Sequence, residues 1–490
     1  MVELNEEVKK LHLEELEPLD LSKCHTVSDI VQGMSHCSFG ARMVGEVANT
    51  LESLISRENK PAIIYDGKRN THLGRLLERM KARGWFKTIV LPETYANKKR
   101  SPEKNVVVIG LFSERHEDAI YKRPERAIFI NQFEIARPGQ VRDGYFPDVI
   151  FTDQRYAIPI LFHTLEERLD GRQIAIPEFI EELKKYGGLA YHVAKGAENF
   201  LKMVQDKNCT KFLTISGAMT IAKMGLIFCD LIDAGMVDYV AATGALMAHG
   251  LVESVGLKHY KYDPKYSDDE LADLKLNRVT DTLEPDSNLD HIEDIINKIL
   301  DIIDGSKPTS PSVLHRMIGV HLSENYPNER GILKSAYEKN VPVVVPAFVD
   351  SELGNDAYTH NLKRLKEGRK KIMMDMELDT KVLLDLMTNA ILAGIFTIGG
   401  GVPRNNTQNV APLIEIINNR LRLNLKQTMF FYGTRMAPDA MHYGHLGGCS
   451  YNENKSWRKM DLRGSFVEVK GDATKILPFI AKYALERKAA

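Results

Sequence analysis

Three side chains near the C-terminus have the types and spacing to act on an amine. Glu453, Trp457 and Lys459 lie within seven residues, after the glycine-rich stretch 444–448. A tryptophan face attracts a cation, a carboxylate pairs with one, and a lysine with a depressed pKa is a nucleophile. This combination indicates a site for a cationic substrate. A surface turn with a half-buried tryptophan would show the same local pattern, so other parts of the chain must decide between the two.

The segment resembles a motif of the deoxyhypusine synthase family. Glu453 followed by Ser456-Trp-Arg-Lys459 is similar to that family's Glu-x-x-Ser-Trp-Gly-Lys sequence, with Arg458 in place of the glycine. Further resembling motifs follow in the family's order: Met236-Val-Asp238 with Ala242-Thr-Gly-Ala245, Asn277-Arg278 with Pro285, Val341-Pro-Val with Pro346-Ala347, Asp350 and Leu353-Gly354, Gly399-Gly-Gly-Val402, and Gly471-Asp472-Ala473. The resemblance covers roughly residues 190–485, with a shorter piece near 33–57.

The resemblance implies an activity and roles for the three side chains. Members of the family bind NAD, oxidise an internal amine of spermidine, and pass its four-carbon amine fragment to a lysine as an imine. An acceptor amine then takes the fragment; it is a protein lysine in the family and putrescine in relatives that make homospermidine. By this resemblance Lys459 is the imine-forming lysine, Trp457 lies along the polyamine, and Glu453 pairs with an ammonium. A nucleophilic lysine must be partly neutral, so we expect burial against Trp457 and apolar groups to depress its pKa.

The predicted NAD site lies where strands end. Strand-like runs lead into Ser216 and into Thr243-Gly244, and another leads into Gly399-Gly400-Gly401. Small residues there let backbone N–H groups approach a phosphate. Because these turns are not Gly-x-Gly-x-x-Gly, the assignment of NAD depends on the resemblance more than on the turns themselves.

Two acids complete the predicted cofactor site. Asp350 follows the apolar run 341–348, and Asp472 follows 467–470. An acid just past a central strand is where a ribose hydroxyl is usually bound in such sheets. For Asp350, a helix or turn cap is the alternative role.

Several positions depart from the family's pattern on the polyamine side. Asn405 stands where the family has a proton-transferring histidine, and Asn355 and Leu446 stand where it has acids. Ala248, followed by His249, replaces a glutamate. Each lost charge-assisted pair is worth on the order of 1.5–3 kcal/mol, so we expect a smaller or less charged amine donor.

The missing acid–base function has candidates in His249, His442 and His445, because histidine titrates near neutral pH. For each of them a surface or core role is favoured over a catalytic one. Asparagine can hydrogen-bond but cannot act as a base, so Asn405 and Asn355 are predicted to contact substrate only.

The order of apolar runs predicts an α/β fold with a doubly wound, mostly parallel sheet of the NAD-binding Rossmann type. Residues 1–57 are predicted as an N-terminal helical segment, 58–175 as an inserted small α/β domain, and 176–490 as the catalytic domain. No role can be assigned to the insert from its residues.

Composition excludes several classes of protein. The chain has 490 residues, with 65 basic and 66 acidic side chains, so no nucleic-acid partner is expected. Five cysteines without Cys-x-x-Cys spacing suit a reducing cytoplasm and predict no metal cluster. The acidic N-terminus does not resemble a signal peptide, and no apolar run reaches the roughly 20 residues that cross a membrane.

Two functions therefore compete. The first is an NAD-dependent transferase that moves an aminoalkyl group from a polyamine-like donor to a small amine or a protein lysine. The second is an NAD-binding or regulatory protein that has lost the polyamine chemistry. Lys459, Glu453 and Trp457 favour the first, and Asn405 and Leu446 favour the second. The resemblance also implies a homo-oligomer, a tetramer built from dimers.

Overall fold

The computed structural model describes residues 6–57, 59–97, 103–110, 124–131, 147–440, 444 and 446–489. The chain forms two compact units. The small unit comprises residues 20–195 and 474–479, and the large unit comprises 1–19, 196–473 and 480–490. The inserted segment 58–175 thus lies in the small unit together with its flanking residues, and its predicted boundaries stay a prediction.

The small unit is built on a five-stranded parallel sheet. Its strands are β1 (Ala62–Tyr65), β2 (Ile89–Val90), β3 (Asn105–Ile109), β4 (Arg126–Asn131) and β5 (Val149–Phe151), in the order β2-β1-β3-β4-β5. Ile64, Val106, Val108 and Phe129 are buried in one apolar cluster on this sheet. The short runs of branched and aromatic residues predicted such a sheet because both of its faces are covered.

The large unit is built on a six-stranded parallel sheet. Its strands are β6 (Cys209–Ile215), β7 (Tyr239–Ala242), β11 (Val343–Val344), β12 (Leu392–Ile398), β13 (Phe430–Met436) and β14 (Met460–Val469). They lie in the order β11-β7-β6-β12-β13-β14, and every neighbouring pair is parallel. Counted from β6, this is the order 3-2-1-4-5-6 of dinucleotide-binding folds. The doubly wound sheet predicted from the sequence is therefore confirmed.

A second, smaller sheet of the large unit is antiparallel. It consists of β8 (Tyr260–Lys261), β9 (Leu276–Val279) and β10 (Thr282–Pro285), with β10 in the centre. The acidic, turn-rich sequence 260–287 predicts a surface excursion, and this prediction is wrong, because β10 is buried along its whole length. Its strands are too short, and its turns too acidic, to give a periodic apolar signal.

Helices connect the strands. In the described residues their bounds are Glu6–Lys9, Val27–Met34, Phe39–Ser56, His72–Ala82, Pro92–Ala96, Gln154–Asp170, Ile176–Leu183, Gly188–Gln205, Gly225–Asp233, Gly244–Ser254, Asp268–Asp273, Asp286–Ile302, Pro311–Asn325, Ile332–Glu338, Glu352–Lys366, Met376–Asn389, Gly401–Gln408, Val410–Leu421, Tyr451–Ser456 and Ala473–Ala489, with short 3-10 turns at Leu21–Lys23 and Leu446–Gly448.

Helix starts were the weakest part of the sequence prediction. The sequence predicts one helix over 34–55, capped by Ser35, and another over 219–231. The first begins at Phe39 with Ser38 at its N-cap, and the second begins at Gly225. Ser35 instead ends the preceding helix. None of the described helices is both long and apolar enough to cross a membrane.

Candidate active site

Lys459 is buried, and its ammonium group contacts an amide. The Nζ atom donates a hydrogen bond to Oδ1 of Asn405 over 2.8 Å, and the residue is 7% exposed. Lys459 directly precedes β14, and its carbonyl accepts from the backbone of Phe430, the first residue of β13. Asn405 lies in the helix Gly401–Gln408, which begins just past the carboxyl end of β12. The lysine side chain thus reaches from the amino end of one strand to the helix that follows another.

The pKa of Lys459 is lowered from its ordinary value, which is the direction predicted from the sequence. Burial is the largest cause, and the positive charge of Arg404 acts in the same direction. The proximity of Cys449 and the negative charge of Glu453 oppose this shift. A lowered pKa raises the fraction of neutral amine, which is the form that attacks a carbon centre.

The buried residue Asn454 holds the segment that carries Lys459. Asn454 is 1% exposed, and its carbonyl accepts a hydrogen bond from the Lys459 backbone. Its side chain donates to Oε1 of Gln408 over 3.1 Å and accepts from the thiol of Cys449 over 3.3 Å. Asn454 therefore fixes the helix Tyr451–Ser456 against the helix that carries Asn405.

Two buried arginines hold the turn around the site. Arg404 and Arg435 both donate to the carbonyl of Cys449, over 2.8 and 2.9 Å, and Arg435 also donates to the carbonyl of Gly399 over 2.9 Å. Burial and the charge of Arg404 lower the pKa of Arg435. The sequence analysis identified neither arginine. The local signal for Arg435 was a charged residue at the end of a buried strand.

Trp457 and Glu453 lie toward solvent. Trp457 is 63% exposed, with its ring centroid 5.8 Å from Nζ of Lys459. The prediction that Trp457 buries the lysine is therefore wrong, because most of the ring surface is open. Glu453 is exposed, and its backbone N–H is capped by the hydroxyl of Ser450. Both side chains are free to line an approach to Lys459.

The predicted cofactor residues that follow the two central strands lie at the switch point of the sheet, the place between β6 and β12 where the strand order reverses. Ser216 follows β6, and Gly399–Gly401 follow the neighbouring strand β12. The hydroxyl of Ser216 donates to the carbonyl of Gly400. Gly399 and Gly401 have φ of 77° and 58°, which favour glycine. A Cβ on Gly400 would lie 3.1 Å from the Cα of Gly447, so the backbone here is closely packed.

The remaining cofactor candidates flank this point on both sides. Thr243 caps the helix Gly244–Ser254, and a Cβ on Gly244 would lie 2.3 Å from Cβ of Ser351, the neighbour of Asp350. Asp350 itself is exposed. On the other side Asp472 follows β14, where the backbone of Gly471 donates to the carbonyl of Ala437.

The other predicted substrate residues belong to different surroundings. Asn355 is an exposed residue in the first turn of the helix Glu352–Lys366. His249 lies in the helix Gly244–Ser254, with its Nδ1 atom 2.7 Å from Oε2 of Glu284. Sequence reasoning missed Glu284, because it is 35 positions from His249 and lies in the segment interpreted as a surface excursion. His442 and His445 lie outside the described residues.

A parallel sheet in this order, with small residues where its direction of winding changes, defines an α/β protein of the dinucleotide-binding Rossmann type. The chain belongs to the deoxyhypusine synthase family, whose family model, described as deoxyhypusine synthase, matches residues 178–484.

Two sequence relatives support this assignment. A deoxyhypusine synthase-like protein of Caulobacter vibrioides is 28% identical over 331 residues, which are 67% of this chain and 88% of the relative. Probable deoxyhypusine synthase 1 of Methanosarcina mazei is 30% identical over 320 residues, 64% of this chain and 94% of the relative. The solved structure of a candidate deoxyhypusine synthase from Entamoeba histolytica shares 14% identity, with a TM-score of 0.43 over 63% of this chain and 93% of that one.

Proposed function

We propose that this protein is an NAD-dependent aminoalkyl transferase that carries its 4-aminobutyl group as an imine on Lys459. The observation that carries the proposal is the buried Lys459 with its lowered pKa, held by Asn405 in a chain of the deoxyhypusine synthase family. A surface lysine that merely ends a turn would be exposed and would lack such a partner.

The residues at the switch point fit a dinucleotide. The backbone of Ser216 and Gly399–Gly401 lies at the carboxyl ends of two adjacent central strands, where this class of sheet binds its ligand. The N–H groups of Ser216 and Gly399 already donate to the carbonyls of Ile398 and Met436, so the backbone of Gly400 and Gly401, at the start of a helix, would contact the pyrophosphate. Thr243 and Gly244 would extend the site toward Asp350, and Asp472 would close its other end. Bound there, NAD supplies a hydride acceptor.

The chain's own residues would do the transfer. Neutral Lys459 attacks the carbon of the oxidised donor, the bond from that carbon to the donor nitrogen breaks, and the leaving amine departs with the two hydrogens that Nζ loses. Asn405 orients Nζ through its amide oxygen but takes no proton. Glu453 and Trp457, both exposed near Lys459, would bind the ammonium groups and the methylene chain of the amine.

The donor is a polyamine-like molecule, spermidine or a smaller relative. Asn405 and Asn355 stand at positions where the resemblance leads us to expect groups that titrate, so the site carries fewer charges for a trication. The acceptor is an amine, either a small polyamine or a lysine of a protein. A site suited to a smaller donor favours the small acceptor of the two.

Trapping tests the proposal directly. The protein is incubated with NAD and spermidine, putrescine or homospermidine, reduced with borohydride, and analysed by intact mass and peptide mapping. We expect a mass increase of one aminobutyl group on Lys459 that requires both NAD and donor. NAD binding without an adduct from any amine would favour the alternative, an NAD-binding protein that has lost the polyamine chemistry.

A further inference from the structure

The large unit contains a connected set of buried charged and titratable side chains. This set is separate from the residues described above as contacting Lys459. Lys223, His259 and Glu284 are 1%, 0% and 1% exposed. His249 and Glu253, both in the helix Gly244–Ser254, form its two ends. Burying several such groups is costly unless each is paired, so their arrangement requires a physical reason.

The contacts fix where the hydrogens are. Nζ of Lys223 pairs with Glu253 and lies 2.9 Å from Nδ1 of His259. An ammonium only donates hydrogen bonds, so Nδ1 of His259 is an acceptor and its Nε2 carries the hydrogen. That Nε2 lies 3.2 Å from Oε1 of Glu284, which accepts it. Lys223 holds this position with a φ of 67°, a conformation that is costly outside glycine.

The same contacts argue against a metal ion. His249, His259 and Glu284 converge closely enough to hold one. However, His259 already accepts from Lys223 through Nδ1, and its Nε2 hydrogen would have to be lost to bind a cation. A divalent ion would also be placed near a buried ammonium. The cluster is therefore a hydrogen-bonded relay that ends at His249.

Glu284 orients the histidine at the end of the relay. Its Oε2 lies 2.7 Å from Nδ1 of His249 as an ion-pair contact without the geometry of a hydrogen bond, so Nδ1 faces Glu284 and Nε2 is left for other partners. Burial would raise the pKa of Glu284, but the two histidines lower it to about 2. Burial lowers the pKa of His249, and contact with Glu284, its charge and the charge of Glu352 together raise it above its ordinary value. An imidazole held by a carboxylate at one nitrogen is an arrangement used for general bases.

His249 lies on the cofactor side of the fold. Its helix begins at Thr243, past the carboxyl end of β7, and the first turn packs against Ser351 beside Asp350. Two elements bring charged groups to it: β10 with Glu284, and the helix Glu352–Lys366 with Glu352. Asn405, the amide beside Lys459, cannot accept a proton, so the reaction needs a base from elsewhere.

We propose that Nε2 of His249 accepts the proton released when the donor amine is oxidised, and that Glu284, His259 and Lys223 are its positioning residues. This inference rests on the proposed function. NAD, held as proposed above, would supply the hydride acceptor for the carbon beside the nitrogen; the N–H proton passes to Nε2 as a C=N double bond forms. The relay keeps Nδ1 of His249 paired with Glu284, so Nε2 takes up and returns the proton.

The first measurement needs no turnover. Deuterium exchange at the imidazole C2 carbon, followed by peptide mass spectrometry, gives the titration midpoint of individual histidines. Glu284→Gln should move the midpoint of His249 to lower pH by at least one unit and leave that of His321 unchanged. An unchanged His249 midpoint would overturn the positioning role of Glu284.

The second measurement separates the inference from the proposed function. Reduction of NAD by the donor amine is followed in wild type and His249→Gln, with NAD affinity measured for both. We expect about a 100-fold slower reduction with similar affinity, a typical loss for a general base. Wild-type rates in His249→Gln with an unchanged pH profile would overturn this inference alone. No reduction of NAD in the wild type with any amine would overturn the proposed function as well.

Discussion

The ammonium nitrogen of Lys459 lies 2.8 Å from the amide oxygen of Asn405, a residue 54 positions earlier in the chain. The amide accepts the hydrogen bond but carries no charge, so it orients the lysine without stabilising its protonated form as a carboxylate would. Burial and Arg404 can therefore keep the pKa of Lys459 low. The pair combines a fixed position with an amine that loses its proton readily.

Asn405→Asp tests this balance. A carboxylate at this distance should raise the pKa of Lys459 by about 1–3 units. Because only the neutral amine forms the imine, adduct yield rises as pH passes the pKa, and the curve for Asn405→Asp should lie at higher pH. The measurement is borohydride trapping across pH, with Asn409→Asp at the end of the same helix as control. Coinciding curves for Asn405→Asp and wild type would show that the amide does not set the pKa.

Lys459→Arg tests the covalent step. Arginine keeps the charge and much of the bulk, but it cannot lose its proton and cannot form the imine. We expect a folded protein that still binds NAD and loses transfer by several orders of magnitude, while partial oxidation of the donor survives. Lys455→Arg, four residues earlier, is the matched control and should transfer normally. Transfer near wild-type rate in Lys459→Arg would remove the imine mechanism.

Asp350→Ala tests the cofactor site. If its carboxylate binds a ribose hydroxyl, removal of this charge-assisted hydrogen bond should cost about 1.5–3 kcal/mol, roughly 10- to 150-fold in NAD affinity. Isothermal titration calorimetry gives the affinity, and Asp385→Ala, an exposed acid in the helix Met376–Asn389, is the control. Equal affinities for Asp350→Ala and wild type would place the ribose elsewhere.

Glu284→Gln should destabilise the protein in a pH-dependent way. The folded-state pKa of Glu284, about 2, lies below its ordinary 4.5, so its contribution is present above pH 4.5 and is lost as pH falls through about 2. The raised pKa of His249 gives a contribution present below 6.5 and lost as pH rises through the raised value.

The loss in Glu284→Gln should thus be largest between pH 4.5 and 6.5, on the order of 3 kcal/mol, as expected for a broken buried pair. Urea titrations at several pH values give the free energy of unfolding. Glu324→Gln, an exposed glutamate, should be neutral throughout. A loss independent of pH would mean that Glu284 stabilises by packing and not by charge.

A tetramer in solution is the expected assembly. Tyr358, Leu362 and Leu365 expose 64%, 41% and 49% of their surface along one face of the helix Glu352–Lys366, a pattern typical of a helix that another subunit covers. Leu362→Asp should lower the mass seen by light scattering at micromolar concentration, and Thr380→Asp on another exposed helix should not. A monomeric wild type would refute this expectation.

The sequence predicted the central strands well and the contacts between distant residues poorly. Runs such as Lys211–Ile215 and Ile395–Ile398 are mainly apolar because both faces of the sheet are covered, so they could be found locally. Val341–Phe348 has the same composition, yet only Val343–Val344 pair as a strand, because this segment lies at the edge of the sheet.

The sequence identified individual residues of the site but not which of their side chains contact one another. Asn405 was identified as a departure from the family's pattern, but nothing local indicated that its oxygen would hold Lys459. Of the relay from Lys223 to His249, only His249 was identified from the sequence, because the other members are spread over the segment after β6, one helix, the residue before β8 and a strand of only four residues. Side-chain pairing across such separations depends on the completed fold.

The positions of Asp350 and Asp472 set a minimum length for any ligand that touches both. Asp350 lies beside Gly244 at the end of β7, and Asp472 follows a contact with Ala437 past the end of β13. Three strand spacings, about 14 Å, separate those two strands. A mononucleotide would occupy one end only, whereas a dinucleotide bound as proposed would engage both, and its second half would then bind at a high effective concentration. The spacing of the two acids would therefore favour the joined cofactor over its separate halves.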